Sequence, residues 1–161
     1  MNEQTYIDID IQAQMLYLWE LGVCVQHTAV STALLGVGQQ KGSFKTPLGL
    51  HYVRAKIGNN APVNAVFLGR RQTGEIYTPQ LREQSKDRDW ILTRIMWLCG
   101  LEPGKNRFGN CDTFSRYIYI HGCSDDAPMG TPGSHGCVRM HNHELIELFN
   151  RIKVGVRVFI H

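Results

Sequence analysis

Residues 6–20 read YIDIDIQAQMLYLWE. Ile7, Ile9 and Ile11 alternate with Asp8 and Asp10, the period-two signature of a half-buried strand. Met15 to Trp19 is a second apolar run, and Glu20-Leu21-Gly22 turns it into a third at Val23 to Gln26. Thr28 to Thr32 continues the β-branched character. Gly36, Gly38 and Gly42 mark a loop, and Thr46-Pro47-Leu48-Gly49 a turn before Leu50 to Val53. Ala65 to Leu68 adds another short strand. Strands punctuated this often predict a mainly β fold, sandwich-like or barrel-like. Two stretches break the rhythm. Ile91, Ile95 and Leu98 at i, i+4 and i+7, followed by Gly100, predict a helix over Trp90 to Leu98. Asn142 is positioned to cap a second helix through Ile152, with Leu145, Leu148, Phe149 and Ile152 as its apolar stripe. Val154 to Ile160 alternates again and closes the chain. Without repeat, low-complexity tract or linker, residues 1–161 read as one β-rich domain with two short helices.

The chain has 161 residues, 17 Lys+Arg against 14 Asp+Glu for a net charge of +3, and is 43% hydrophobic and 19% charged. It can bury a core. No apolar run approaches the roughly 18 residues of a membrane span. The small positive surplus, without a Lys/Arg block, gives no footprint for nucleic acid. Five cysteines, an odd number without a C-x-x-C pair, suit a reducing compartment. The N-terminal residues lack a basic and apolar leader pattern, so the expected location is cytoplasmic, or periplasmic if a leader has been removed.

The chemistry concentrates between residues 116 and 139. Tyr117-Ile118-Tyr119-Ile120 is a strand ending in His121-Gly122, and a Gly/Pro/Asp-rich loop leads to Ser134-His135-Gly136-Cys137-Val138-Arg139. A nucleophilic thiol needs a base and donors for the oxyanion formed on attack. Cys137 on a tight turn suits the nucleophile and His121 at a strand end suits the base. Gly122 and Gly136 let backbone N–H groups approach a carbonyl, and Arg139 can hold a carboxylate or favour the thiolate. Each residue also has a plainer reading: a buried structural thiol, a satisfied strand-end histidine, a surface ion-pair arginine. Zinc is the sharp rival, since His121, Cys123, His135, Cys137, His141 and His143 have suitable donors, although H-x-C spacings do not match common finger spacings. Cys24, Cys99 and Cys111 read as core or half-buried thiols. Trp90, Trp97 and Phe108 read as packing or as cleft walls. The Gly36–Gly42 loop lacks the GK[ST] of a phosphate cradle.

SHGCVR, with a strand ending in HG upstream, resembles the signature of the L,D-transpeptidase catalytic domain (YkuD) family. STALLGVGQQKGSFKTPLGLHYV is similar to its strand–loop–strand ending in Thr-Pro-x-Gly, and the opening hairpin to its first hairpin. Gln80 to Thr113 matches no motif. The resemblance implies a β-sandwich-like domain and a cysteine acyltransferase, without cofactor or metal, acting on peptidoglycan stem peptides or muropeptides. Carried over, Cys137 is the nucleophile, with its own N–H as oxyanion donor, and His121 the general base. Ser134 holds the turn, His135 and Gly136 shape the site and Arg139 anchors it. Cys123 stands where the family more often has Thr or another small residue; facing the same side as His121, it is a candidate for an inactivating disulfide with Cys137. Cytosolic location favours water as acceptor, hence an L,D-carboxypeptidase that removes terminal D-alanine from tetrapeptides; the alternative is a periplasmic cross-linking transpeptidase. A non-catalytic wall-fragment binder is remoter. Carbapenem-type inhibitors are expected ligands.

Overall fold

The alternation at residues 6–11 becomes β1 (Thr5–Asp10), which pairs antiparallel with β2 (Met15–Glu20), and β2 with β3 (Val23–Ala29). The structure, a computed structural model, describes residues 4–161. The chain continues through β4 (Gly49–Ile57), β5 (Ala65–Leu68), β6 (Arg71–Ile76), α1 (Pro79–Gln84) and β7 (Ile91–Gly100). It ends with β8 (Tyr119–Cys123), β9 (Val138–His141), α2 (Asn142–Arg151) and β10 (Arg157–Ile160). The strands form one sheet ordered β3-β2-β1-β10-β4-β7-β5-β6, with β8 added to β7 and β9 to β8.

This sheet curls. Beyond β3, Ser31 and Arg139 of β9 exchange two backbone hydrogen bonds, Ser31 N–H to Arg139 O (3.0 Å) and Arg139 N–H to Ser31 O (2.9 Å). The N–H groups of Gly133 and Ser134 both donate to Thr32 O, at 2.8 and 2.9 Å. The two layers of the expected sandwich are therefore arcs of one sheet, stitched where the edge after β3 meets β9. Inside, Ile7 and Leu18 of the first hairpin share a core with Met96, Ile120 and Met140 of β7–β9 and Leu148 of α2. Burying each such side chain contributes roughly 1.5–3 kcal/mol.

The expected helix over Trp90 to Leu98 is strand β7, buried on both faces. Met96 and Leu98 enter the main core, whereas Ile95 packs in a second cluster with Ala65, Phe67 and Tyr119 on the other face. A strand covered on both sides reads as a continuous apolar run. A bulge, seen as a register shift between Leu92 and Ile95, also breaks its period-two pattern into apparent helical spacing. Thr93 sits in the bulge at φ +74°, a strained conformation for a β-branched residue. Its hydroxyl accepts the Asn64 N–H (3.0 Å) and donates to Asn142 Oδ1 (2.7 Å), while Asn142 Nδ2 donates to Asn64 Oδ1 (2.8 Å).

Asn142 thus corrects a second expectation. The N-cap of α2 is His141, without a side-chain capping bond, and Asn142 is the first helical residue, its amide spent on the bulge. The same amide explains Gly122: a Cβ there would overlap Asn142 Oδ1 and lie 2.6 Å from Leu92 O. Only glycine lets β8 approach β7 this closely, which fixes the height of His121.

Other differences are small. Tyr117 lies in a turn at φ +57° before β8 begins, and β10 begins at Arg157 rather than Val154. α1 was not expected from the sequence, although Thr78 caps it by accepting Leu81 N–H (3.1 Å) and Pro79 opens it. His51 of β4 is fully buried; its Nδ1–H donates to Gly49 O (2.9 Å) and its Nε2 accepts from Thr113 Oγ1 (3.0 Å). No helix among the described residues is long and apolar enough to cross a membrane.

Candidate active site

β8 and β9 run parallel, with Ile120 opposite Val138 and His121 opposite Arg139. Partners in register share a face, so Ile120 and Val138 point into the main core while Tyr119, His121, Cys137 and Arg139 share the other. The Tyr119 N–H reaches Cys137 Sγ at 3.3 Å. The turn before Cys137 is built by Ser134, which donates to Cys137 O (2.5 Å) and accepts Gly136 N–H (3.1 Å). Thr46 Oγ1, in the turn before β4, braces it by donating to Gly136 O (2.9 Å). Gly136 has φ +129°, and a Cβ there would press on Ile118 Cδ1 and Lys45 O. The SHGC spacing is thus a backbone requirement, met by a hydroxyl and a glycine.

His121 is completely buried, and its Nδ1 lies 2.7 Å from Gly122 O. A carbonyl only accepts, so Nδ1 carries the proton and Nε2 is left as a lone pair. That Nε2 is buried without a hydrogen-bond partner. Burial pushes the imidazole pKa below its ordinary 6.5, while the Asp89 charge opposes it. Cys137 is half-buried, and its thiol donates to Tyr117 O at 3.4 Å. Burial pushes this thiol up to about 12; the Tyr119 N–H and the Arg139 and Arg116 charges pull it down, and Asp89 pushes it up. The expectation that Arg139 favours a thiolate is therefore outweighed: at rest the group is a neutral thiol. The thiol, donating to Tyr117 O, and the imidazole lone pair lie on one face of β8–β9, with no hydrogen bond between them.

A cleft of about 490 Å³ opens onto Cys137, bounded by Lys41, Phe44, Asp89, Tyr117 and His135. His135 is exposed and meets Phe44 edge-on at 6.0 Å, so it borders the cleft rather than orienting His121. Arg139 donates to Gly133 O (3.1 Å) and pairs with Asp89 (3.2 Å), clamping the loop before Cys137 to the segment before β7. Asp89 and Arg116 escaped the sequence analysis as site residues. Arg116 donates to Gly38 O, Gln39 O, Ser43 Oγ and Lys45 O, holding the Gly36–Gly42 loop over the cleft. No local pattern announces either role, because the partners lie about 50 to 80 residues away in the chain.

The suggested Cys123–Cys137 disulfide does not fit. Cys123 pairs in register with His141, four residues beyond the level of Cys137, roughly 13 Å along the strand. A disulfide bridges Cα atoms no more than about 7 Å apart. The Cys123 thiol instead donates to Met140 O at 3.2 Å. The rival zinc set is also dispersed: His141 Nε2 donates to Ala127 O (2.9 Å), His143 is exposed, and among the described residues no three His, Cys, Asp or Glu side chains are placed to hold a metal. Trp97 stacks on Phe114 at 3.9 Å, a packing role, whereas Phe108 is exposed. Cys99 is buried, and Cys24 and Cys111 are half-buried.

The model of the L,D-transpeptidase catalytic domain family (YkuD) matches residues 4–160. The chain belongs to this family. YqjB of Bacillus subtilis (strain 168), whose name places it among L,D-transpeptidases, is 46% identical over 48 residues, 30% of this chain and 27% of that protein. A crystal structure of a Cys-to-Ser mutant of the Enterococcus faecium L,D-transpeptidase has a TM-score of 0.60 at 20% identity, covering 99% of this chain and 50% of that one. The ertapenem-acylated catalytic domain of the E. faecium enzyme has a TM-score of 0.58 at 20% identity, covering 100% and 99%. These structural likenesses establish the fold of the YkuD domain. The chain spans about half the length of the first of these structures.

Proposed function

We propose that this YkuD domain is a cysteine L,D-carboxypeptidase that removes terminal D-alanine from peptidoglycan stem tetrapeptides through a thioester. The observation that carries the reading is the His121 imidazole: its Nδ1–H is held by Gly122 O and its Nε2 lone pair is free, on the face that carries Cys137. In the first half-reaction His121 Nε2 takes the thiol proton as Cys137 Sγ bonds to the carbonyl carbon of the third residue. The Cys137 N–H, presented by the Ser134–Gly136 turn, receives the oxyanion. Collapse breaks the C–N bond, and His121 returns the proton to the departing amine of D-alanine. Water, deprotonated by the same imidazole, then hydrolyses the thioester and leaves a tripeptide carboxylate.

Charge in the cleft supports water over an amine as acceptor. Among the described residues that line it the one carboxylate, Asp89, is committed to Arg139, so an incoming ammonium finds no free anion there, whereas Lys41 offers a cation to the substrate's terminal carboxylate. We place this chemistry in a reducing, cytoplasmic compartment, where Cys137 stays a free thiol. The names of the relatives favour the second reading, an amine-resolved cross-link outside the membrane. Incubation with a disaccharide tetrapeptide separates the two. Release of D-alanine with tripeptide and without dimer is expected; predominant cross-linked dimer overturns the proposal.

A further inference from the structure

β5 and β6 are joined by Gly69 and Arg70 alone, since Leu68 and Arg71 pair in register. Both turn residues have positive φ, +54° and +65°, as in the mirror-image turns that match the twist of a hairpin. Turn chemistry favours asparagine or glycine at such positions, so the arginine at 70 stands against local preference. Its side chain reaches over Trp97 of β7, Tyr119 of β8 and Tyr117 just before β8. The guanidinium lies 4.8 Å from the centre of the Trp97 ring and 4.6 Å from that of Tyr117, and its Nη1 donates to the Tyr119 hydroxyl (3.0 Å). Trp97 in turn meets Tyr119 edge-on at 5.8 Å and Tyr117 at 5.9 Å. Among the described residues Arg70 interacts with these rings and that hydroxyl, not with a carboxylate.

The two tyrosines it holds are the residues whose backbones touch the Cys137 sulfur. Tyr117 O accepts the S–H at 3.4 Å, and Tyr119 N–H donates to Sγ at 3.3 Å. These contacts act in opposite senses. The carbonyl favours the protonated thiol, whereas the N–H favours the thiolate. The balance between them is therefore set by where residues 117–119 lie. Tyr117 has φ +57°, uncommon for a bulky residue, and is exposed, so its conformation depends on what packs against it. Arg70 packs on its ring and ties that ring to the hydroxyl of Tyr119, two residues on.

We infer that Arg70 is a positioning residue for Cys137: clamping the Tyr117 and Tyr119 side chains from the β5–β6 turn, it fixes the carbonyl and the N–H that hold the sulfur. This role rests on Cys137 being the nucleophile. Alkylation of the whole protein by iodoacetamide from neutral to alkaline pH, read at each cysteine by peptide mass mapping, tests it. Alanine meets the same backbone conformation at position 70 as arginine does, so Arg70→Ala removes the side chain without a new penalty in the turn. Cys137 in this variant should react about three- to tenfold more slowly at each pH, because the Tyr119 N–H is no longer held against the sulfur and less thiolate forms. Tyr119→Phe keeps the ring and the N–H and removes only the hydroxyl that Arg70 binds; it should slow Cys137 by roughly two- to fivefold. The double variant should react no more slowly than Arg70→Ala, since the same contact cannot be lost twice. Cys24, on β3, is the internal reference and should react at an unaltered rate, while buried Cys99 should stay unlabelled. Labelling of Cys99 in Arg70→Ala would mark an opened sheet, and Tyr119→Phe alone then decides. An unchanged Cys137 rate in either single variant, losses that multiply in the double variant, or an equal loss at Cys24 overturns the assignment. The readout needs no peptide turnover, so Arg70's role and the carboxypeptidase reading can fail separately.

Discussion

Replacing His121 by Asn is expected to lower kcat/KM for tetrapeptide hydrolysis by roughly 10²–10⁴-fold, the usual contribution of a positioned general base. Asparagine is the informative substitute because its amide NH₂ can stand in for Nδ1–H and keep the bond to Gly122 O. The fold should therefore remain while the Nε2 lone pair is lost. The pH profile separates a base from a packing residue. Burial holds the His121 pKa below 6.5, so the acid limb of kcat/KM should lie below that pH in the unaltered enzyme and vanish in the variant. The thiol tells the same story from the other side. With its pKa near 12, Cys137 holds very little thiolate at neutral pH, and its alkylation by iodoacetamide should be slow there and climb steadily into the alkaline range. A thiolate already formed at pH 7, or an unchanged acid limb in His121→Asn, would contradict proton transfer within the Cys137–His121 pair.

Acidification should destabilise the protein strongly through a different histidine. His51, buried between Gly49 O and Thr113 Oγ1, has its pKa lowered by burial to about 4, against 6.5 when exposed. The unfolded chain therefore binds a proton that the folded chain refuses throughout the interval between those values. The contribution of neutral His51 is complete above pH 6.5 and declines as pH falls to 4, by about 3 kcal/mol in all. His121, shifted in the same direction, adds to the decline. Urea titrations at pH 7.5 and 4.5 should show the loss, and His51→Gln should flatten it. A ring titration by NMR close to 6.5 for His51 in the native state would refute the mechanism.

The sequence and the structure agree where side chains alternate cleanly and diverge where burial is two-sided. Ile7 and Ile9 announce β1 because Asp8 and Asp10 face away from the core between them. β7 offers no such contrast: Arg94 is itself buried, donating to Ala61 O and Thr93 O at 2.7 Å, and the bulge at Thr93 imitates a helical period. The turn before Cys137 was legible because Ser134 and Gly136 satisfy local backbone needs that leave their mark at fixed spacing. Asp89 and Arg116 were not, because their partners lie far off in the chain and meet only in the folded sheet. Cys123 marks the limit of strand-face reasoning, which places two residues on one side but leaves their separation along the strand open.

Peptide mapping by mass spectrometry after exposure to a carbapenem tests most directly whether sulfur at position 137 is the acyl-accepting atom. A single covalent adduct is expected on Cys137 and on no other cysteine. Cys137→Ser should lose the adduct and the release of D-alanine together. An unmodified Cys137 beside an acylated Cys24, Cys111 or Cys123, or D-alanine release that survives in Cys137→Ser, would contradict the assignment.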